Sequence, residues 1–177
     1  MNVVTDGRAE RFAALYAAHY GAVYAYGSRR VGPDAADEVA AETFLVAWRR
    51  FDELPAEALP WLYGVARNVV LRHRTKMGRH LQTVEALRRE PIPPGETAGG
   101  DYDPGLWTAW AELRDADREV LALIAWEELS VAEAARVVGC PAPVFSVRLH
   151  RARRRLERLL TADAGVHPDL SPTLSEA

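Results

Sequence analysis

Six arginines and one acid, Glu157, fill the stretch from Arg148 to Arg158. A second stretch, Ala58 to Val84, holds no acid but carries Arg67, Arg72, Arg74, Lys76 and Arg79. Guanidinium groups at this density suit phosphate oxygens, which they grip through forked N–H donors. The acids gather elsewhere, at Asp34, Asp37, Glu38 and Glu42 and again at Asp52, Glu53 and Glu57. Such a chain offers two patches to a polyanion and the rest of its surface to a different partner. The formal net charge of −3 averages over this pattern and hides it.

The same residues do not assemble a catalytic or metal-binding pattern. His19, His73, His80, His150 and His167 have neither HExxH nor HxxxH spacing and no carboxylates grouped with them as ligands. Cys140 is the single cysteine, which excludes an internal disulfide and a Cys-rich zinc site and reads as a small buried residue. No nucleophile–base pair, phosphate loop or paired carboxylates stand in a supporting context. The expectation is a protein that is not an enzyme and needs no cofactor, metal or small-molecule substrate.

Helices must position the basic patches. Phe12, Leu15, Tyr16, Tyr20, Val23 and Tyr24 recur at helical spacing within Ala9 to Arg30. Gly32-Pro33 breaks that helix, and Asp34 is expected to N-cap the next, which runs to about Phe51 with Ala40, Phe44, Ala47, Trp48 and Phe51 as its buried stripe. A third helix is expected from Pro60 to Arg79, with Trp61, Leu62, Val65 and Val69 on its apolar side, and a helical stretch reaches Arg89. Glu90 to Gly105 is half proline and glycine and reads as a linker.

Beyond it, short helices are expected over Leu106–Leu113 and Asp115–Glu127. Ser130-Val131-Ala132-Glu133 then forms a capping box, in which the serine side chain takes the N3 amide and the glutamate reaches back. The helix it starts, Val131 to Val138, stops at Gly139, and Pro143 opens the next. Phe145, Leu149, Ala152, Leu156 and Leu159 share one stripe of that last helix. A short capped helix, a glycine turn and a second helix with a polar, basic face is helix-turn-helix grammar. Thr161 to Ala177 reads as a disordered tail.

No six-residue alternation of apolar and polar residues supports a strand, so the fold class is all-α, with two small helical domains. An apolar fraction of 49% and a charged fraction of 27% belong to a globular chain. No apolar run approaches the ~20 residues of a membrane span, and Met1 to Glu10 is too polar for a signal peptide. The expected location is the cytoplasm, with no membrane partner.

Four segments, in this order, carry a resemblance. Asp37-Glu38-Val39-Ala40-Ala41-Glu42-Thr43-Phe44-Leu45-Val46-Ala47-Trp48-Arg49 resembles the polymerase-binding helix of region 2 of bacterial RNA polymerase sigma factors. Trp61-Leu62-Tyr63-Gly64-Val65-Ala66-Arg67-Asn68 resembles the promoter −10 helix that follows it. Leu113-Arg114-Asp115-Ala116-Asp117-Arg118-Glu119-Val120-Leu121 resembles the entry to region 4, and Arg148-Leu149-His150-Arg151-Ala152-Arg153 its −35 recognition helix. Length and the absence of further regions resemble the extracytoplasmic-function subgroup. The resemblance implies region 2 over 8–80, a linker over 81–105, the region 4 helix-turn-helix over 106–160 and the tail over 161–177.

The resemblance also implies roles. Asp37, Glu38, Ala41, Glu42, Leu45 and Arg49 would meet the clamp helices of the largest subunit of core RNA polymerase. Tyr63, Val65 and Asn68 match a pocket for an unstacked −10 base, where stacking contributes about 1–3 kcal/mol and an amide reads the base edge. Arg67, Arg72, Arg74 and Lys76, with Arg79, would hold phosphates there. Ser146, Val147, His150 and Arg151 would read −35 bases, with Arg148, Arg153, Arg154 and Arg155 as phosphate clamps. Pro143-Val144-Phe145-Ser146-Val147 departs from the family's Gly-Thr-Val-Lys-Ser, so Val147 either meets a thymine methyl or weakens −35 binding. The implied function is promoter recognition at −35 and −10 and DNA melting, on duplex and single-stranded promoter DNA. An anti-sigma factor is a further implied partner. The alternative is a stand-alone helix-turn-helix regulator, which explains Ser130 to Leu160 but leaves Asp37 to Arg79 idle.

Overall fold

The computed structural model describes residues 3–81 and 103–164. Among them are seven α-helices and no strand. Gly32 makes the first corner, at φ 90 and ψ 161, a backbone region open essentially to glycine. Pro33 follows in the first turn, where its missing N–H is no loss. Helix α1 (Val3–Val31) thereby folds back along α2 (Pro33–Arg49), and a 3-10 turn (Phe51–Glu53) leads to α3 (Ala58–Leu81). The N-cap is Gly32, not Asp34 as expected; the proline starts the helix two residues earlier and leaves Asp34 in its first turn, at the positive end of the dipole.

In the second half α4 spans Pro104–Glu112, α5 Asp115–Ala125, α6 Val131–Val138 and α7 Ala142–Ala164. The Asp103 carboxylate accepts the N–H groups of Gly105 (2.9 Å) and Leu106 (3.3 Å), and Pro104 takes the first turn. The Pro-Gly pair expected to end the linker therefore opens a helix. Leu81 likewise belongs to α3, so the expected linker is helical at both ends; its interior and the stretch to Arg89 lie outside the described residues. Thr161 to Ala164, expected in the tail, complete α7, and the rest of the tail lies outside the described residues.

Val23, Tyr26, Val39, Ala40, Phe44, Ala47, Leu62 and Ala66 pack the three long helices together. Thr43 is buried among them and donates its hydroxyl to the Val39 carbonyl (2.7 Å). Trp48, expected in the core, is 37% exposed: it lies at the rim, edge-on to Phe12 (5.0 Å) and beneath Arg8, which also donates to its carbonyl (2.7 Å). In the second half Phe145, Leu149 and Ala152 of α7 bury against α4, α5 and α6. The apolar interior is continuous across the two halves, because α3 packs on α6.

Candidate nucleic-acid and partner interfaces

The capping box is formed in full: the Glu133 N–H donates to the Ser130 hydroxyl (3.3 Å), and the Ser130 N–H to the Glu133 carboxylate (2.8 Å). The Ser130 hydroxyl also donates to that carboxylate (2.6 Å), and this bond first, with the Ser130 N–H second, holds the Glu133 carboxyl below its usual range. Helix α6 then ends at Gly139 with φ 75, the left-handed stop expected there. This fixes the angle at which α7 leaves. Phe145, Leu149 and Ala152 seat α7 inward, which turns Ser146, Val147, Arg148, His150, Arg151 and Arg154 outward, all exposed. Among the described residues Arg148, Arg151, Arg153 and Arg154 have no carboxylate within ion-pair distance. Arg155 differs: it is half-buried and pairs with Asp117 (3.2 Å), bracing α7 on α5. Val147 is 50% exposed, one turn beyond the exposed Val144 and just before the arginines of the helix. The Ser146 hydroxyl donates to the Ala142 carbonyl (3.1 Å).

Helix α3 separates the residues grouped as a −10 site. Val65, Arg67 and Asn68 line a cavity of about 370 Å³ whose far wall is Arg136 and Val138 of α6. The aromatic ring on that cavity is Trp61, under which Arg50 also lies (5.8 Å). Tyr63 is not there. It is 3% exposed and packs against Tyr26 (5.2 Å), and burial together with the Glu127 carboxylate pushes its phenol up to about 12. In this arrangement Tyr63 offers no face to a base, a correction that follows from α3 being covered by both α1 and α6. Arg72 pairs with Glu42 of α2 (2.6 Å). Arg74 donates to the Arg30 carbonyl (2.9 Å) and reaches Asp115 of α5 (3.3 Å). Lys76 is exposed.

On α2, Asp37, Glu38, Ala41, Leu45 and Arg49 are exposed and Glu42 is half-buried, one continuous face opposite Val39, Ala40, Phe44 and Ala47. Leu45, 48% exposed, sits at its centre with Trp48 beside it. Asp37 accepts the Tyr20 phenol (2.6 Å), a bond that lifts that phenol to about 12. The face is thus an apolar spot within acids, several already oriented by neighbours.

A contact that sequence did not foretell joins the halves. Tyr26 donates to Glu119 (2.8 Å), Arg30 bonds both Glu119 (2.7 Å) and Glu127 (2.9 Å), and Arg29 pairs with Glu127. The Glu127 side chain is 0% exposed and that of Arg30 6%. The left-handed residue Glu128 (φ 53) turns the chain after α5, and the bond from the Leu129 N–H to the Leu123 carbonyl (3.1 Å) closes the turn beside Glu127.

Two family models match this chain, sigma-70 region 2 over residues 15–80 and sigma-70 region 4 over residues 105–156. The extracytoplasmic-function sigma factor BldN of Streptomyces coelicolor is 32% identical over 89% of this chain, which spans 63% of that protein's length. EcfG of Rhodopseudomonas palustris is 30% identical over 73% of this chain and 74% of its own, and SigC of Mycobacterium tuberculosis 32% over 69% and 68%. Among solved structures, the sigma factor RpoE of Bartonella quintana, in complex with the anti-sigma factor NepR, aligns with a TM-score of 0.70 at 26% identity, over 87% of this chain and 99% of that one. CnrH, in complex with the cytosolic domain of CnrY, aligns with a TM-score of 0.58 at 25% identity, over 86% and 88%. With regions 2 and 4 matched in order and their helices formed, the chain belongs to the extracytoplasmic-function family of RNA polymerase sigma factors, the proteins of transcription initiation.

Proposed function

We propose that this chain binds core RNA polymerase through the exposed face of α2, reads the −35 element with α7, and engages and opens the −10 element with α3. The single observation that carries the reading is the outward face of α7, where Ser146, Val147, His150 and Arg151 stand exposed on a helix set at a fixed angle by a capped neighbour. A helix presented in this way enters the major groove, and its N-terminal half reaches the base edges. Arg148, Arg153 and Arg154 hold the flanking phosphates, and Val147 meets a thymine methyl.

On α2, Leu45 and Trp48 enter a groove between helices of the polymerase while Asp37, Glu38, Glu42 and Arg49 form the rim. On α3, Trp61 and Val65 wall the space for an unstacked base, Asn68 reads its edge, and Arg67, Arg72 and Lys76 take the phosphates of the opened strands. An anti-sigma protein is a further partner, by analogy with the relatives solved with NepR and CnrY. The work is done on the chromosome, in the cytoplasm, without catalysis by the chain itself.

Run-off transcription tests the reading. Core polymerase and sheared genomic DNA from one GC-rich bacterium are incubated with and without the chain, and transcript 5′ ends are mapped. New starts sharing two upstream motifs are expected. Absence of new starts, with duplex binding that needs no polymerase, would replace the reading by that of a stand-alone regulator.

A further inference from the structure

The leading turns of α7 differ from the rest of its outward face. Val144 is 42% exposed and Val147 50%. Pro143, beside them, is exposed as well. Positions three and four apart on a helix are neighbours, so these side chains make one apolar patch. Beyond it the exposed residues change character: His150 and Arg151 come a turn later, then Arg154 and Arg158. The patch does not hold the fold together, because Phe145, Leu149 and Ala152 are the buried side of the helix. A single exposed valine needs no explanation. A pair at the leading end of an arginine-lined helix does.

The patch offers a base edge almost nothing polar. Pro143 has no N–H. The Ser146 hydroxyl, on the flank, donates to the Ala142 carbonyl (3.1 Å), so its one proton is engaged inside the helix. A valine side chain neither donates nor accepts. In the major groove every base pair shows polar atoms, but thymine alone of the four bases adds an apolar group, the C5 methyl. Cytosine methylated at C5 carries the same group at the same ring position, beside different polar atoms. A surface that bonds none of those atoms responds to the methyl and not to the base that bears it. Arg148, Arg151, Arg153 and Arg154, exposed on the same helix, supply the attraction to phosphate that brings the patch into the groove.

We infer that Val144 and Val147 are a methyl-reading pair, each covering the C5 methyl of a pyrimidine in one of two neighbouring base pairs, so that thymine and 5-methylcytosine rank together above uracil and cytosine at both. The inference rests on the assignment of α7 to the −35 element. It goes past that assignment by adding Val144 and by naming a chemical group in place of a base. The two valines lie about 4.5 Å apart along the helix axis, against a base-pair step of about 3.4 Å, so neighbouring pairs are within reach. Methylation of a cytosine at either position therefore strengthens binding, by about fourfold for one buried methyl group.

Uracil tests it, because it differs from thymine only in lacking that methyl. The full chain bound to core polymerase, and the full chain alone, each select from a pool of randomised duplexes. The retained sequences are remade with deoxyuridine for single thymidines, and with cytosine or 5-methylcytosine in the same places. Affinity is measured for the parent, Val144→Ala and Val147→Ala, with helical content checked by circular dichroism. Two neighbouring pairs are expected at which uracil weakens parent binding about fourfold relative to thymine, and at which 5-methylcytosine binds about fourfold better than cytosine. Each variant should erase the methyl effect at one pair and keep it at the other. A parent with no methyl effect, or folded variants that both keep it at both pairs, would overturn the inference. A loss confined to Val147→Ala would leave a single reader and overturn the pair. If duplexes are retained by the chain alone and polymerase adds nothing, the sigma reading fails, while the methyl comparison still decides the valines. If neither preparation retains a duplex, reading and inference fall together.

Discussion

Glu127→Ala removes the carboxylate that Arg29 and Arg30 share. Their side chains are 19% and 6% exposed, and Glu127 itself is excluded from water. Removing one partner of such a buried pair costs about 3–5 kcal/mol, because the charges left behind stay desolvated. Arg30 keeps Glu119 at 2.7 Å, which puts the expected cost near the lower end, about 3 kcal/mol. The chain has an escape: if the halves separate, the arginines reach water. The loss should therefore fall first on the closed arrangement, and the halves should then unfold apart. Urea titration followed by far-UV circular dichroism should give one transition for the parent and two for Glu127→Ala. Emission from the cluster of Trp107, Trp110 and Trp126, with ring centroids 4.6 and 6.4 Å apart, assigns one transition to the second half. The double variant Arg30→Met/Glu127→Leu replaces ions by apolar groups of similar volume and should return toward a single transition. The coupling between the two sites should be about 2–3 kcal/mol. A coupling below about 0.5 kcal/mol would mean that the two residues act independently and would refute the reasoning.

Other expectations concern single faces. Arg151→Ala should cost about 1–3 kcal/mol of promoter affinity, concentrated on one −35 base pair; equal loss on all sequences would make it a phosphate contact. Leu45→Ala, at an exposed position, should weaken binding to core polymerase while leaving the urea midpoint within about 0.5 kcal/mol of the parent; a large stability loss would mean that Leu45 supports the fold. Asn68→Ala should reduce open-complex formation, read with a fluorescent −10 base, while polymerase binding stays intact; equal loss of both would remove Asn68 from the pocket. Ser130→Ala should cost about 1 kcal/mol near neutral pH. Because the folded Glu133 carboxyl is held below its usual value, the Glu133 share of the cap is present above the ordinary carboxylate range and disappears as pH falls through the lowered folded value. Urea titrations of Glu133→Gln and parent should therefore converge at acid pH, and a gap that persists there would refute the ionic contribution.

Local grammar was legible where a few neighbouring residues settle the backbone. Ser130, Glu133 and Gly139 mark the start and stop of α6, and the structure ends the helix at those residues. The stripe of Phe145, Leu149 and Ala152 faces inward, which leaves the arginine face of α7 outward. The same reasoning failed where one helix meets two neighbours. Trp61 and Tyr63 are both apolar positions of α3, and periodicity alone does not tell which ring meets the cavity. Because α1 covers one side of α3 and α6 another, Tyr63 is enclosed and Trp61 lies at the opening. Arg74 shows the converse. Its place in an acid-free run reads as phosphate binding, yet its partners are a carbonyl of α1 and an aspartate of α5.

The seam was illegible for a different reason. Arg30 and Glu127 lie 97 residues apart. Read alone, Arg29 and Arg30 are cations suited to the last turn of a helix, and Glu127 is an acid in a turn. Nothing local pairs them. Their chemistry nevertheless constrains what the seam is for. A permanent junction between two halves is best made of apolar side chains, which would be as stable or more so than buried ions. Ions at the edge of this junction, with Arg29 Nε and Arg30 Nη2 each buried without a hydrogen-bond partner, are the poorer choice for permanence. They are the better choice for a junction that opens, because each half can then stand in water with its charges solvated.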